Sequence, residues 1–257
     1  VALARPDLYI MVETEIWPNM IRSVSESGAR LVIVNGRISD KSFGKYKAAA
    51  VFLKKTLSRV DIFCMQSALD AERIKAIGAA PGKVIVTGNM KFDAQPVTDE
   101  ASLRCLRSAL DIRPDGLLLV AGSIHPGEEL PILEAYSKLR KEFPDLRLVL
   151  APRHVEKFPY FERIVKDDFG FTPYLLSSPA PSSFGQNVAI VDTIGRLTDL
   201  YALATVVFIG GSLVRHGGQN PVEAAVFGKP VIFGPHMFNF REISSALLSS
   251  GGAIEVN

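Results

Sequence analysis

Short apolar runs, mostly free of charge and rich in β-branched residues, recur along this chain with helical periodicity between many of them. Runs at 8–12, 31–35, 61–65 and 84–87 read as strands, and patterns at 18–27, 42–58 and 68–77 read as the helices that separate them. A strand that is apolar without alternation must be covered on both faces, which is the condition of a parallel sheet wrapped by helices. The pattern pauses at the polar, turn-rich stretch from Lys91 to Thr98 and then restarts. Strand-like runs follow at 117–121, 146–150, 171–176, 188–191, 206–209 and 231–233, with helices expected at 127–143 and 158–167. This predicts an α/β protein of two Rossmann-like domains, residues 1–94 and 95–257. A hydrophobic content of 47% is enough to fill both cores.

Open sheets of this kind bind ligands beyond the carboxyl ends of their strands. Polar clusters sit at those ends: Glu13-Thr-Glu15, Asn35, Asn89-Met-Lys91, Ser123-Ile-His125, Arg153-His154, Asp192-Thr193 and the stretch 210–223. In the last of these an apolar run feeds Gly210, Gly211, Gly217 and Gly218, together with Ser212, Arg215, His216 and Asn220. Pro221 then opens a helical pattern with Glu223 in its first turn. Free backbone N–H groups at a helix start attract anions, and a carboxylate one turn in suits a ribose diol. The second domain therefore reads as a nucleotide site. Arg153, beyond a strand tip, suits bidentate contact with phosphate or carboxylate. Gly195 allows backbone to approach a base or sugar, while Thr193 fits a helix cap. Lys91 ends the first half, facing the expected cleft, where a cation would stabilise a departing phosphate. Glu13 and Glu15, two apart, would project to one side of a continuing strand, as a carboxylate pair or as a solvated strand end with Glu15 as helix cap.

Several classes fall away. A net charge of +2 gives no reason to expect a nucleic acid. No GxGxxG follows a strand, and Gly78 to Lys83 is one residue short of a P-loop and reads as a turn. His125, His154, His216 and His236 show no metal-ligand spacing, so no metal is expected. Cys64 and Cys105 stand far apart and read as buried thiols in a reducing compartment. No apolar run reaches membrane-span length.

Several segments taken together, in order along essentially the whole chain, carry a resemblance. They are Glu13-Thr-Glu-Ile-Trp-Pro-Asn19, Gly88-Asn-Met-Lys-Phe-Asp93, Gly122-Ser-Ile-His125 with Gly127-Glu128-Glu129, Pro152-Arg-His154, Asp192-Thr-Ile-Gly195, Gly210-Gly-Ser-Leu-Val214 with Gly217-Gly-Gln-Asn-Pro-Val-Glu223, and Gly234-Pro-His-Met-Phe-Asn-Phe240. This set is similar to the 3-deoxy-D-manno-octulosonic acid (Kdo) transferases of lipopolysaccharide synthesis. The resemblance implies a GT-B type glycosyltransferase with its N-terminal domain incomplete and its C-terminus cut, using no metal and no cofactor. It implies inverting transfer of Kdo from CMP-Kdo to a lipid A precursor at the cytoplasmic face of the bacterial inner membrane. Its partners would be that donor, that acceptor and a membrane surface, without nucleic acid. Glu13 and Lys91 would be catalytic. Pro152, Arg153, Ile194, Gly195, Arg196, Asn220, Pro221, Val222 and Glu223 would hold the CMP.

The family's membrane anchor and the Gly-Glu loop that carries its general base do not lie in these 257 residues, so the chain alone is expected to bind nucleotide with little turnover. Arg196 stands where the family usually has Glu, and Gln219 where it has His. Another GT-B enzyme using a UDP-sugar, and a nucleotide-binding fragment without catalysis, remain the competing readings.

Overall fold

Two separate parallel sheets result from this alternation, one in each of two units, Val1–Ala94 and Gln95–Asn257. The computed structural model describes residues 3–93, 96–181, 184–185 and 187–257, with the side chains of residues 91 and 92 outside that description.

The first unit runs β1 (Leu8–Val12), α1 (Pro18–Glu26), β2 (Arg30–Gly36), α2 (Asp40–Ala48), α3 (Ala50–Leu57), β3 (Ile62–Met65), α4 (Ala68–Ala76) and β4 (Val84–Val86). Its strands pair in the order β1-β2-β3-β4, all parallel. Pro18 sits at the first position of α1, where a missing N–H costs nothing. Ile21 and Val24, on one face of that helix, are buried with Leu31, Ile33, Phe63 and Met65 of the sheet. The single helix expected over 42–58 is two, broken at Ala49, and Ser39 starts the first by accepting from the Ser42 N–H. Ser67 caps α4 in the same way through the Asp70 N–H. The stretch from Gly78 to Lys83 ends in a 3-10 turn, Pro81–Lys83, and the Lys83 ammonium donates to the carbonyls of Ser58 and Val60. Strand β1 is an edge, and Leu8, Ile10 and Val12 stay about half exposed.

The second unit runs α5 (Glu100–Ala109), β5 (Leu118–Ile124), α6 (Glu129–Glu142), β6 (Arg147–Pro152), α7 (Phe158–Arg163), β7 (Thr172–Leu175), β8 (Asn187–Ile190), α8 (Leu197–Leu203), β9 (Val206–Ile209), α9 (Val222–Ala225), β10 (Val231–Phe233), α10 (Arg241–Ser249) and β11 (Ala253–Glu255). Helix α7 stops short of the expected 167 and passes into a wider turn at Ile164–Asp168. The strand order is β11-β10-β9-β5-β6-β8-β7, all parallel. Successive residues of β6 feed opposite faces: Val149 and Ala151 join the core with Leu200 and Tyr201, and Leu148 and Leu150 join the core with Leu133 and Phe161. Both faces are therefore covered, as unalternating strands require.

From β5 the chain builds outward through β6 to β8 and β7, then returns to place β9 against the other side of β5. The strand order reverses between β5 and β9, and a crevice opens at the carboxyl ends of strands at such a point. The backbones approach closely there: a Cβ on Gly210 would lie 2.3 Å from the Ser123 carbonyl oxygen. A Cβ on Gly122 would lie 1.9 Å from the Tyr201 hydroxyl, so the Tyr201 ring packs directly on this strand.

Candidate functional site

At the reversal point the carboxylate of Glu128 is completely buried. Glu128 stands at the start of α6, yet its side chain makes no capping bond to that helix. It reaches instead to the loop after β9. Its Oε2 accepts from the N–H groups of His125 at 2.8 Å and Gly211 at 2.7 Å. Its Oε1 accepts from Ser212 and Leu213, both at 2.9 Å. Four donors match the acceptor capacity of one ionised carboxylate. Ser212 continues the network: its Oγ donates to the Ile209 carbonyl at 2.5 Å and accepts from the Gly234 N–H at 2.8 Å. The neighbouring Glu129, also buried, accepts from the Gly127 N–H and the Tyr160 hydroxyl.

This corrects the expectation of free amides in the glycine-rich stretch. Three successive N–H groups, 211 to 213, are already bound by a carboxylate of the same unit. At the helix start, the Val222 N–H donates to the Asn220 Oδ1 at 3.2 Å, and Pro221 has no N–H to offer.

Three histidines converge beside the buried carboxylate. The His125 ring stacks on His216 with centroids 4.1 Å apart and planes 14° from parallel. His154 meets His125 edge-on at 6.0 Å. The Gln219 side-chain nitrogen lies 3.4 Å from His125 Nε2. Burial is the main cause that lowers the His125 pKa below its usual value; His216, His154 and Arg153 lower it further, and Glu128 opposes them. His125 is buried, while His216, His154 and Arg153 are exposed. Among the described residues no group of three or more His, Cys, Asp or Glu is placed to hold a metal ion.

The residues expected to bind nucleotide all belong to this unit and follow the carboxyl ends of neighbouring strands. Pro152 ends β6 and is buried, and the Arg153 N–H donates to the Ile124 carbonyl at 2.9 Å, leaving an exposed guanidinium above β5 and β6. Ile194 and Gly195 follow β8; Ile194 is 91% exposed, and a Cβ on Gly195 would meet nothing, so this turn presents open backbone at a φ of +90°. Arg196, rather than Thr193, is the N-cap of α8, and its guanidinium lies 3.4 Å from the Ser102 hydroxyl, which donates to Asp199. Asn220, Pro221, Val222 and Glu223 follow β9. The Asn220 amide donates to Glu223 Oε1 at 3.2 Å and holds an exposed carboxylate on the first turn of α9. Val222 is buried, so its side chain packs inward and only its backbone lines the edge.

In the first unit β1 ends at Val12, and Glu13 takes a left-handed φ of +62°. The strand period therefore does not reach Glu13 and Glu15, so it does not place their side chains on one side. Glu13 is exposed and its N–H donates to the Val34 carbonyl at 2.9 Å. Glu15 is no helix cap: its Oε2 accepts from the Trp17 indole at 2.6 Å, and Trp17 precedes α1 without a side-chain cap. Thr14 binds the turn to β2 by exchanging hydrogen bonds with the backbone of Arg37. Asn35, buried and left-handed, accepts from the Met90 N–H at 3.1 Å and so ties the Met90–Asp93 turn to the tip of β2. That turn carries the backbone of Lys91, whose side chain is outside the described residues.

Sequence reasoning missed the role of Glu128, the convergence of three histidines and the packing of Tyr201 on Gly122. Two glutamates at the start of a helix gave no warning of this, since carboxylates are common in the first turn of any helix.

Residues 1–94 match the family described as 3-deoxy-D-manno-octulosonic-acid transferase (kdotransferase). A 3-deoxy-D-manno-octulosonic acid transferase from Haemophilus influenzae is 34% identical over 254 residues, covering 98% of this chain and 59% of that protein. The chain thus spans about three fifths of that relative's length. Among solved structures, the C-terminal CMP-Kdo binding domain of WaaA from Acinetobacter baumannii aligns with 62% of this chain and 83% of its own, with a TM-score of 0.56 and 26% identity. UDP-GlcNAc 2-epimerase from Methanocaldococcus jannaschii aligns with 100% of this chain and 67% of its own, with a TM-score of 0.62 and 14% identity, a likeness of fold alone. The resemblance to the Kdo transferases is borne out, and the fold is α/β with parallel sheets, of the GT-B type.

Proposed function

We propose that this stretch of a Kdo transferase binds CMP-Kdo on its second unit and serves the transfer of Kdo to a lipid A precursor in lipopolysaccharide synthesis. The observation that carries the reading is the alignment of Arg153, Gly195 and Asn220 to Glu223 along one sheet edge, in a chain similar to a CMP-Kdo binding domain. In this reading Glu223, held by Asn220, accepts from the ribose hydroxyls. Arg153 supplies the cation for the phosphate. The open backbone at Ile194 and Gly195 lies against the base or sugar, and Arg196 adds its N–H at the start of α8. An interaction between a charged group and hydrogen-bonding partners of this kind is worth roughly 1.5–3 kcal/mol.

Glu13 and Lys91 are the first unit's contribution. Transfer with inversion needs the acceptor hydroxyl deprotonated, positive charge on the sugar stabilised and CMP neutralised as it leaves. A carboxylate at residue 13 suits the second task and a lysine at residue 91 the third. The acceptor places the reaction at the cytoplasmic face of the inner membrane; no helix among the described residues is long and apolar enough to cross a membrane.

Calorimetry with CMP, UMP and AMP tests the donor. CMP is expected to bind tighter than the other two, and Glu223→Ala to weaken CMP by roughly 1–3 kcal/mol. Tighter binding of UMP than of CMP would favour a UDP-sugar enzyme, and equal binding would refute the CMP-Kdo reading. Unchanged CMP affinity in Glu223→Ala would remove that residue from the site. In a protein that carries these 257 residues and turns over the donor, Glu13→Ala and Lys91→Ala should each lower turnover more than CMP affinity, and loss of affinity alone would refute the roles given to them.

A further inference from the structure

The glycine-rich stretch after β9 would ordinarily offer its backbone amides to an anion. Here Glu128 already occupies the N–H groups of Gly211, Ser212 and Leu213, at 2.7 to 2.9 Å. A second anion brought to the same amides would meet a buried carboxylate and no spare donors. Yet at the strand-order reversal the His125, His216 and His154 rings meet beside Arg153, all nitrogen groups able to carry positive charge. Two of these rings stack face to face, an arrangement suited to neutral imidazoles and disfavoured for two cations in contact.

We propose that His125 and His216, together with Arg153, form an oxyanion subsite at the β5–β9 reversal point, supplying from side chains the recognition that Glu128 withdraws from the loop amides. It rests on the reading of this edge as the donor site. The oxyanion is either the phosphate of the nucleotide or the carboxylate of the sugar acid, which share the chemistry of a delocalised negative charge accepting N–H donors.

The subsite couples binding to protonation. Burial keeps the His125 pKa below its usual value, so the empty site is neutral at that ring near neutral pH. Its charged and titratable neighbours are Glu128 before α6, Arg153 and His154 beyond β6, and His216 in the loop after β9. An arriving anion adds negative charge beside the ring and raises its pKa, so binding draws a proton from solvent onto the imidazole. Affinity therefore rises as pH falls toward the ordinary histidine range near ~6.5.

The test uses the 257-residue chain with its histidines labelled, reading imidazole resonances by NMR as inorganic phosphate, CMP, cytidine or free Kdo is added. The His125 and His216 rings are expected to shift with inorganic phosphate. A response to CMP but not to cytidine or Kdo assigns the subsite to phosphate, and a response to Kdo but not CMP assigns it to the sugar carboxylate. Rings unmoved by every anion overturn the proposal. Calorimetry in two buffers of different ionisation heat should show proton uptake with the responding anion, abolished in His125→Gln. His216→Gln, at an exposed position, should weaken that anion roughly tenfold, the loss of one charge-assisted bond. Wild-type affinity and proton uptake in both variants would sink the subsite while leaving a preference for CMP over UMP intact. Rings that respond to phosphate, with CMP and UMP bound equally, would keep the subsite and refute the donor reading.

Discussion

Glu128 is a buried carboxylate that holds the backbone of the loop after β9 in the second unit. In Glu128→Gln one oxygen becomes an NH2 group. Whichever oxygen is replaced, two of the four acceptor bonds are lost: those of Ser212 and Leu213 at Oε1, or those of His125 and Gly211 at Oε2. The new amide also aims its hydrogens at N–H donors. Each buried donor left without a partner costs roughly 1–3 kcal/mol, so the loss of two should destabilise the second unit by about 2–6 kcal/mol. For a domain of 150–250 residues each kcal/mol moves Tm by roughly 2–4 °C, giving an expected drop of roughly 4–24 °C. Thermal unfolding followed by circular dichroism or calorimetry measures this directly. The loop after β9 should also lose amide hydrogen-exchange protection at 211–213 while the first unit keeps its protection. A Tm within a degree or two of the parent, with protection at 211–213 unchanged, would refute the claim that this carboxylate organises the loop.

Gly122→Ala should cost roughly 1–3 kcal/mol by overpacking, because the new methyl would meet the Tyr201 hydroxyl at 1.9 Å; an unchanged denaturant midpoint would contradict that packing. Asp61 accepts from the Leu31 N–H at 2.8 Å, and this bond, above the contribution of Arg30, holds its pKa below the ordinary carboxylate value. A depressed folded pKa gives stability that is present above the unfolded value near ~3.9 and is lost as pH falls through the folded one. Asp61→Asn should therefore flatten the acid side of the stability profile below about pH 4, and an unaltered profile would remove Asp61 from that role. CMP binding is expected to survive EDTA unchanged, since among the described residues no group of three or more His, Cys, Asp or Glu is placed to hold a metal ion; loss on chelation with recovery on adding Mg²⁺ would overturn it.

Much of this architecture was readable from local pattern. The runs 8–12, 206–209 and 231–233 form strands with those bounds, because a short, uncharged, β-branched segment between helical patterns has few other ways to bury itself. The turn at Asn220 to Glu223 was readable for a similar reason: proline after a side-chain acceptor specifies a helix start locally. Helix 42–58 was misread because propensity alone carries little information about a single-residue break such as Ala49. The argument that put Glu13 and Glu15 on one side failed because strand periodicity ends wherever the hydrogen-bonded ladder ends, here at Val12.

What lay beyond the sequence depends on strand order. Glu128 meets Gly211 across 83 positions of chain, and His125, His154 and His216 come from three separate loops. Residue types and spacings determine which segments are strands and which ends are polar. They do not determine which two strands become neighbours, because that choice is made by the packing of all the helices on both faces at once. Only after β9 was laid against β5 did a carboxylate at one strand's end meet the amides at the other's, turning a stretch that reads as an anion-binding backbone into one whose amides are filled from within.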